Sequence, residues 1–298
     1  MGAGVREGTL RVAPGVGAGA ARRPVGGAGE DGPAAKAPTS RAGRPLPGVR
    51  ALPGWAWTLV SVAAGVGVWL LASARMPAAF ATPAQVVAAL SKRLADGTYL
   101  ANVGSSLTRV LWGFGLAFVT SIPVAFLMAW HDAFRRIVEP WVWFVRNIPP
   151  LAYVFVIIAA LGIGETSKVA VIFIASFLIM VVTMYQGVRN VDPTLLKAAR
   201  VLGARPLDLF WRVTVPASAP FVFVSARLGL SAALTTLMAS EIVGGSRGVG
   251  VMIQQASGFY QMDVVLLGVL TLGVIGVVAE RVVRVAERRL TGWQETLR

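Results

Sequence analysis

The run from Val169 to Val188 carries no charged side chain. As a helix rising 1.5 Å per residue it is about 30 Å long, the thickness of the hydrocarbon core of a bilayer. No water is present in that medium to satisfy backbone N–H and C=O groups, so the segment must close its hydrogen bonds within itself. Comparable apolar runs recur along the chain. They are Trp55 to Ser73, Val103 to Trp130 (with Pro123 as a kink point), Ile137 to Ile163 and Phe221 to Ser240, and a sixth begins over Val264 to Ala279. The third is interrupted near its start by Arg146-Asn147-Ile148-Pro149-Pro150. The expected architecture is an all-α membrane protein of about six transmembrane helices. Only 14% of residues are charged and 55% are hydrophobic, whereas soluble domains carry about 25% charged residues. The chain has no cysteine, which removes disulfides, thiolate catalysis and Cys-ligated metals. Its single His131 sits in a short polar turn, 131–136, so no metal site is expected.

The formal net charge of +14 would suggest nucleic acid in a soluble protein. Here the cations fall between the apolar spans, where they set orientation in the membrane, and no nucleic-acid partner is expected. Residues 1–53 are rich in Gly, Ala, Pro and Arg with few large apolar side chains, and read as a disordered basic tail lying near anionic lipid. If both termini are cytoplasmic, the inner segments (1–53, 131–136, 188–218 and the C-terminus) hold most of the Lys and Arg. The outer loops hold Arg75, Lys92, Arg93, Lys168 and Arg247. The expected division is a tail over 1–53, a first transmembrane helix and outer loop over 54–102, a transmembrane core over 103–285 and a cytoplasmic C-terminal tail over 286–298. A surface helix is expected around Lys92, Arg93 and Asp96, and a Gly-rich outer loop over 241–263. This is a multi-pass protein of the cell membrane, with lipid as its surroundings.

One insert breaks the apolar pattern, Asp192 to Pro216, reading DPTLLKAARVLGARPLDLFWRVTVP. Asp192 suits an N-cap and Pro193 the first helical position, where its missing N–H is harmless. On a 3.6-residue period Leu195, Ala199 and Leu202 share one face, with Lys197 and Arg200 roughly opposite. Gly203 suits a left-handed C-cap. Arg205-Pro206 opens a second short helix with Asp208 in its first turn, and Val215-Pro216 is expected to break it.

Within that insert Lys197-Ala198-Ala199, Gly203-Ala204, Phe210 and Val215-Pro216 resemble the EAA loop of ABC-importer permeases. The resemblance continues through Ser106-Leu107-Thr108-Arg109-Val110 with Gly113-Phe114, and through Arg146 to Ala152 leading to Gly162-Ile163-Gly164. It also covers Ala239-Ser240-Glu241 with Gly248 to Ile253, and Arg288-Arg289-Leu290 with Trp293. Together these span about residues 100–295, and the nitrate/sulfonate/taurine-type permeases match best. The resemblance implies a type I ABC-importer permease fold with a cytoplasmic coupling-helix loop at 192–216. It implies four partners or surroundings: a cytoplasmic ABC ATPase subunit, an extracytoplasmic substrate-binding protein, a second permease copy in a homodimer, and membrane lipid. It implies no cofactor of this chain's own, ATP being bound and hydrolysed by the partner subunit. The chain departs from the family pattern at Lys197, where the family has Glu, which puts in question any charge pairing made there. Gly162 to Lys168 superficially suggests a phosphate loop but lacks the G-K-[ST] ending.

Four residues are candidates for a translocation pathway: Glu241, Thr235, Ser231 and Arg146. Ionisable groups inside membranes usually face a bundle interior or a wet cavity; Glu241 could equally cap a helix end in headgroup water. Arg109 and Arg146 could lower the barrier for an anion, or, like Arg227, snorkel to lipid phosphates. Gly244 and Gly248 match a small-xxx-small packing pattern. The expected function is a permease for a small anionic or organosulfur solute of the sulfonate, taurine or nitrate type. The alternative is an ATP-independent channel or a membrane-embedded enzyme. An enzyme would need convergent polar groups at one depth, and the spans contain no aspartate pair or histidine cluster.

Overall fold

The computed structural model describes residues 53–291. Most of the basic tail, the end of the C-terminal tail and Trp293 of the closing motif lie outside the described residues. The described residues form helices and loops, without a strand. In order these are α1 (Gly54–Arg75), α2 (Pro83–Ala95), α3 (Thr98–Trp130), α4 (Asp132–Arg146), α5 (Pro150–Leu161), α6 (Glu165–Arg189), α7 (Pro193–Val201) and α8 (Pro206–Asp208). A π-helix (Leu209–Thr214) then leads into α9 (Val215–Gly244), followed by α10 (Val249–Gly258) and α11 (Met262–Thr291).

Five helical segments are long and apolar enough to cross a membrane, and α4 with α5 makes a sixth only if the bent pair counts as one span. That pair departs from the expected third span. Its two halves meet at 104°, and the polar turn expected at 131–136 shrinks to His131, because α4 already begins at Asp132. The cause is local. Pro149 cannot donate to a helix, and it disfavours the helical conformation at Ile148, while Pro150 opens α5 from its first position.

α6 is the central post. Of its apolar window 61% is buried, against 6% for α1, which leaves α1 facing outward over nearly its whole length. α3 and α9 pack on α6 closely enough that a Cβ on Gly113 would overlap Ile172, and one on Gly229 would overlap Met180. Arg109 meets Glu165, and further along Ser121 meets Met184, so α3 and α6 run in the same direction. α9 runs the other way, passing Gly187 at Phe221 and Arg109 at Glu241. α11 opposes α9, through Arg227 with Glu287 and Leu234 with Gly276. The bundle therefore has one end where α3, α6 and α11 start and α9 finishes, and an opposite end that carries the 192–216 insert.

The surface helix expected near Lys92 is α2, opened by a capping box in which Thr82 and Gln85 exchange hydrogen bonds. Its Val86 and Ala89 pack with Val249, Met252 and Ala256 of α10 and with Val264 and Leu267 of α11. The outer loop at 241–263 is thus partly a buried helix, α10.

Candidate functional site

The insert folds from its caps outward. Asp192 Oδ1 accepts from Thr194 N at 2.7 Å, and that donor holds the Asp192 carboxyl below its ordinary value. α7 ends as Gly203 takes φ +83°, a left-handed conformation in which its N–H donates to Arg200 O at 3.0 Å and Ala204 N donates to Ala199 O at 3.0 Å. The apolar stripe expected on α7 is not what packs. Leu196 and Ala199 turn inward and are half-buried, while Leu195, Lys197, Ala198 and Arg200 are exposed. No residue of α7 is buried, and Val201 and Leu202 stand 87% and 86% exposed. Together they put exposed apolar surface at the turn of the knob, the kind that marks an interaction site, while Leu207 and Trp211, also exposed, line a cavity with Phe126 and Trp130 of α3.

Val215-Pro216 does not break the chain. The π-turn over Leu209–Thr214, with Thr214 Oγ1 donating to Leu209 O at 3.1 Å, passes directly into α9, and Pro216 lies in the first turn of that helix. A widened turn is how a continuing helix accommodates a ring that would otherwise press on the preceding turn. Pro206 to Gly244 is consequently one 39-residue rod. Phe210 fixes its lower part, meeting Phe126 and Trp130 of α3 edge to face at centroid distances of 5.8 and 4.9 Å.

A cavity of about 400 Å³ opens where the α4–α5 elbow faces α6 and α9. Arg146, Tyr153, Ser231, Thr235 and Thr236 are its polar lining residues, among aliphatic side chains such as Leu178 and Ile179. The Arg146 guanidinium lies over the Trp143 ring, 4.4 Å from its centroid. Thr235 and Thr236 donate their hydroxyls back to Ser231 O and Ala232 O. The groups able to donate to a guest are therefore the guanidinium and the hydroxyls of Ser231 and Tyr153, a set suited to an anion's oxygens. Sequence reasoning passed over Tyr153, although it is the only hydroxyl in the otherwise apolar α5.

Glu241 stands apart from this cavity. Fully buried, it accepts from Ser106 Oγ at 2.7 Å and Arg109 Nη1 at 2.6 Å through Oε1, and from Gly250 N at 2.7 Å through Oε2. Arg109, 2% exposed, does not snorkel. It forks onto Glu165 at 2.5 and 2.7 Å and reaches Arg247 O at 2.7 Å, while Lys168 also contacts Glu165. Asn102 and Ser106 accept from the N–H groups of Gly248 and Val249. Two cations and two carboxylates thus balance around the start of α10 and bind it to α3, α6 and α9. Gly248 is indispensable there, since at φ +141° a Cβ would overlap the Glu241 carboxylate. Arg227 likewise pairs with Glu287, at 3.0 Å.

A bundle in which α9 runs against α3, α6 and α11, with a largely apolar cavity that holds a few polar groups and an exposed helical knob on a continuous rod, defines a polytopic membrane protein. Over residues 121–292 the chain matches the family of binding-protein-dependent transport system inner membrane components. It is 43% identical over 244 residues to a probable ABC transporter permease protein of Brucella abortus (strain 2308), covering 82% of this chain and 98% of that one. It is 35% identical over 198 residues to the taurine transport system permease protein TauC of Escherichia coli (strain K12), covering 66% and 72%. Its fold is similar to that of the MetNI methionine ABC transporter in an inward-facing conformation, with a TM-score of 0.52 at 20% identity over 63% of this chain and 95% of that one. The chain belongs to the binding-protein-dependent ABC-importer permease family, among relatives of the nitrate, sulfonate and taurine permeases.

Proposed function

We propose that this chain is the membrane-spanning subunit of an ATP-driven importer that carries a small anionic or organosulfur solute handed over by an extracytoplasmic binding protein. One observation carries the reading. The rod from Pro206 to Gly244 joins the exposed knob at one end to the cavity wall, at Ser231 and Thr235, in its middle. Lys197, Ala198, Ala199, Gly203 and Ala204 form the part that an ABC ATPase subunit grips, and Phe210, Val215 and Pro216 carry its displacement into α9. Arg146, Ser231, Thr235 and Tyr153 face the solute, and Glu241 acts as a strut holding α10. ATP is bound and hydrolysed by the partner, and this chain contributes no catalytic group. An ATPase dimer has two grooves and this chain has one knob, so a pair of copies satisfies the twofold symmetry. The charge distribution supports an orientation with both termini and the knob on the cytoplasmic side of the cell membrane. Closure of the ATPase dimer would then tilt the two rods and alternate the access of the cavity.

Because the chain has no cysteine, Leu202→Cys introduces a sole thiol at the tip of the knob. Co-expressed with the ATPase subunit of its own host, this variant should give a one-to-one cross-link with a thiol-to-amine reagent, and the wild type none. Failure of any ATPase subunit to co-purify in mild detergent would contradict the reading.

A further inference from the structure

α11 meets α9 at another cavity, of about 330 Å³ and with a largely polar lining, which plays no part in the pathway above. It is lined by Arg227 of α9 and by Arg284, Glu287, Arg288 and Thr291 of α11. Arg227 donates to Glu287 and Arg284 to Glu280, yet these four side chains remain about a fifth to a half exposed. Arg288 makes no ion pair among the described residues, and the Thr291 hydroxyl is engaged by Glu287 O. Three guanidiniums therefore stand against two carboxylates, Glu287 in the lining and Glu280 beside it, and the one excess positive charge, on Arg288, is suited to an anion.

Depth selects the anion. After Asp263, α11 carries no charge until Glu280. Arg284 lies about 7 Å and Arg288 about 13 Å beyond that apolar run at 1.5 Å per residue. The headgroup layer of a leaflet is about 5–8 Å thick, and side chains on a helix lean toward its N-terminus, which here is back toward the membrane. Arg284 thus falls at the level of lipid phosphates, and Arg288, one turn further out, reaches that level by leaning back along the helix, in a pocket between two helices.

We propose that this cavity binds the phosphate of an anionic phospholipid headgroup. Guanidinium forks match phosphate oxygens two at a time, and a phosphate held by Arg288 and Arg227 together would clasp α11 to α9, the helix that forms the rod. Free phosphate offers the same oxygens, and the depth of the cavity favours the lipid.

The test uses the full-length chain in a non-ionic detergent, with thermal unfolding followed as short-chain phosphatidylglycerol, phosphatidylcholine or inorganic phosphate is titrated in. Phosphatidylglycerol should raise the melting temperature saturably, and the other two should not. Arg288→Gln disturbs no ion pair among the described residues and should bind phosphatidylglycerol about fivefold more weakly, the effect of one cation at a membrane surface. Arg281→Gln, on the same helix but outside the cavity, should match the wild type. An equal shift with phosphatidylcholine, an equal loss in Arg281→Gln, unchanged affinity in Arg288→Gln, or a full shift from inorganic phosphate alone would overturn the assignment.

Discussion

Arg109 Nη1 donates to Glu241 Oε1 at 2.6 Å across 132 positions of sequence, with both side chains removed from solvent. A buried pair of this kind costs far more to break than it contributes when intact, because the survivor is left as an uncompensated charge. Glu241→Gln should therefore destabilise the protein by about 3 kcal/mol, seen as a lower melting temperature in detergent. Where the variant still assembles, its KM for solute should be unchanged, since Glu241 does not line the cavity. A raised KM without a stability loss would return Glu241 to the pathway.

Gly248 answers to the same carboxylate. Its φ of +141° lies where only glycine is comfortable, and a Cβ there meets Glu241. Gly248→Ala should cost at least about 1–3 kcal/mol from backbone strain alone. Gly258→Ala, where a Cβ meets nothing within 4 Å, should leave the melting temperature unchanged.

The cap of α7 sets a pH dependence. Thr194 N–H holds the Asp192 carboxyl below its ordinary value of 3.8. A depressed carboxyl contributes stability that is present above the ordinary value and lost as pH falls through the lowered one. Amide exchange over 194–201, once divided by the intrinsic rate at each pH, should therefore be flat from neutral pH down to that range and accelerate below it. Asp192→Asn, which keeps an acceptor but cannot titrate, should remove the acidic acceleration.

Arg146 is the one cation in the pathway cavity. Arg146→Gln should lower uptake of an anionic solute about tenfold or more, the effect of one charge-assisted hydrogen bond, while ATP hydrolysis by the assembled complex continues. Equal uptake would remove the anion reading of the cavity.

What could be read in advance was whatever depends on neighbours in sequence. The spans of α3 and α6, the Asp192-Pro193 start and the Gly203 stop all follow from runs and caps a few residues long, and the structure places them within about a turn and a half of expectation. What could not be read depends on partners far away. Glu241 reads as a lone membrane acid until α3 brings Arg109 and Ser106 beside it. The inward face of α7 is set by the π-helix packed against it, so Leu196 and not Leu195 turns in. Pro216 looked like a stop because proline removes a hydrogen bond, but the π-turn before it absorbs the strain and keeps the rod whole.

The central claim is that the rod carries motion from the knob to the cavity, and Gly203 is where it is most exposed to test. Valine cannot adopt φ +83° without strain, yet a Cβ at that position meets nothing within 4 Å, so the bundle itself is spared. In proteoliposomes holding Gly203→Val with its ATPase subunits and binding protein, the account predicts continued ATP hydrolysis with solute uptake lost. Uptake equal to the wild type at equal hydrolysis would contradict it.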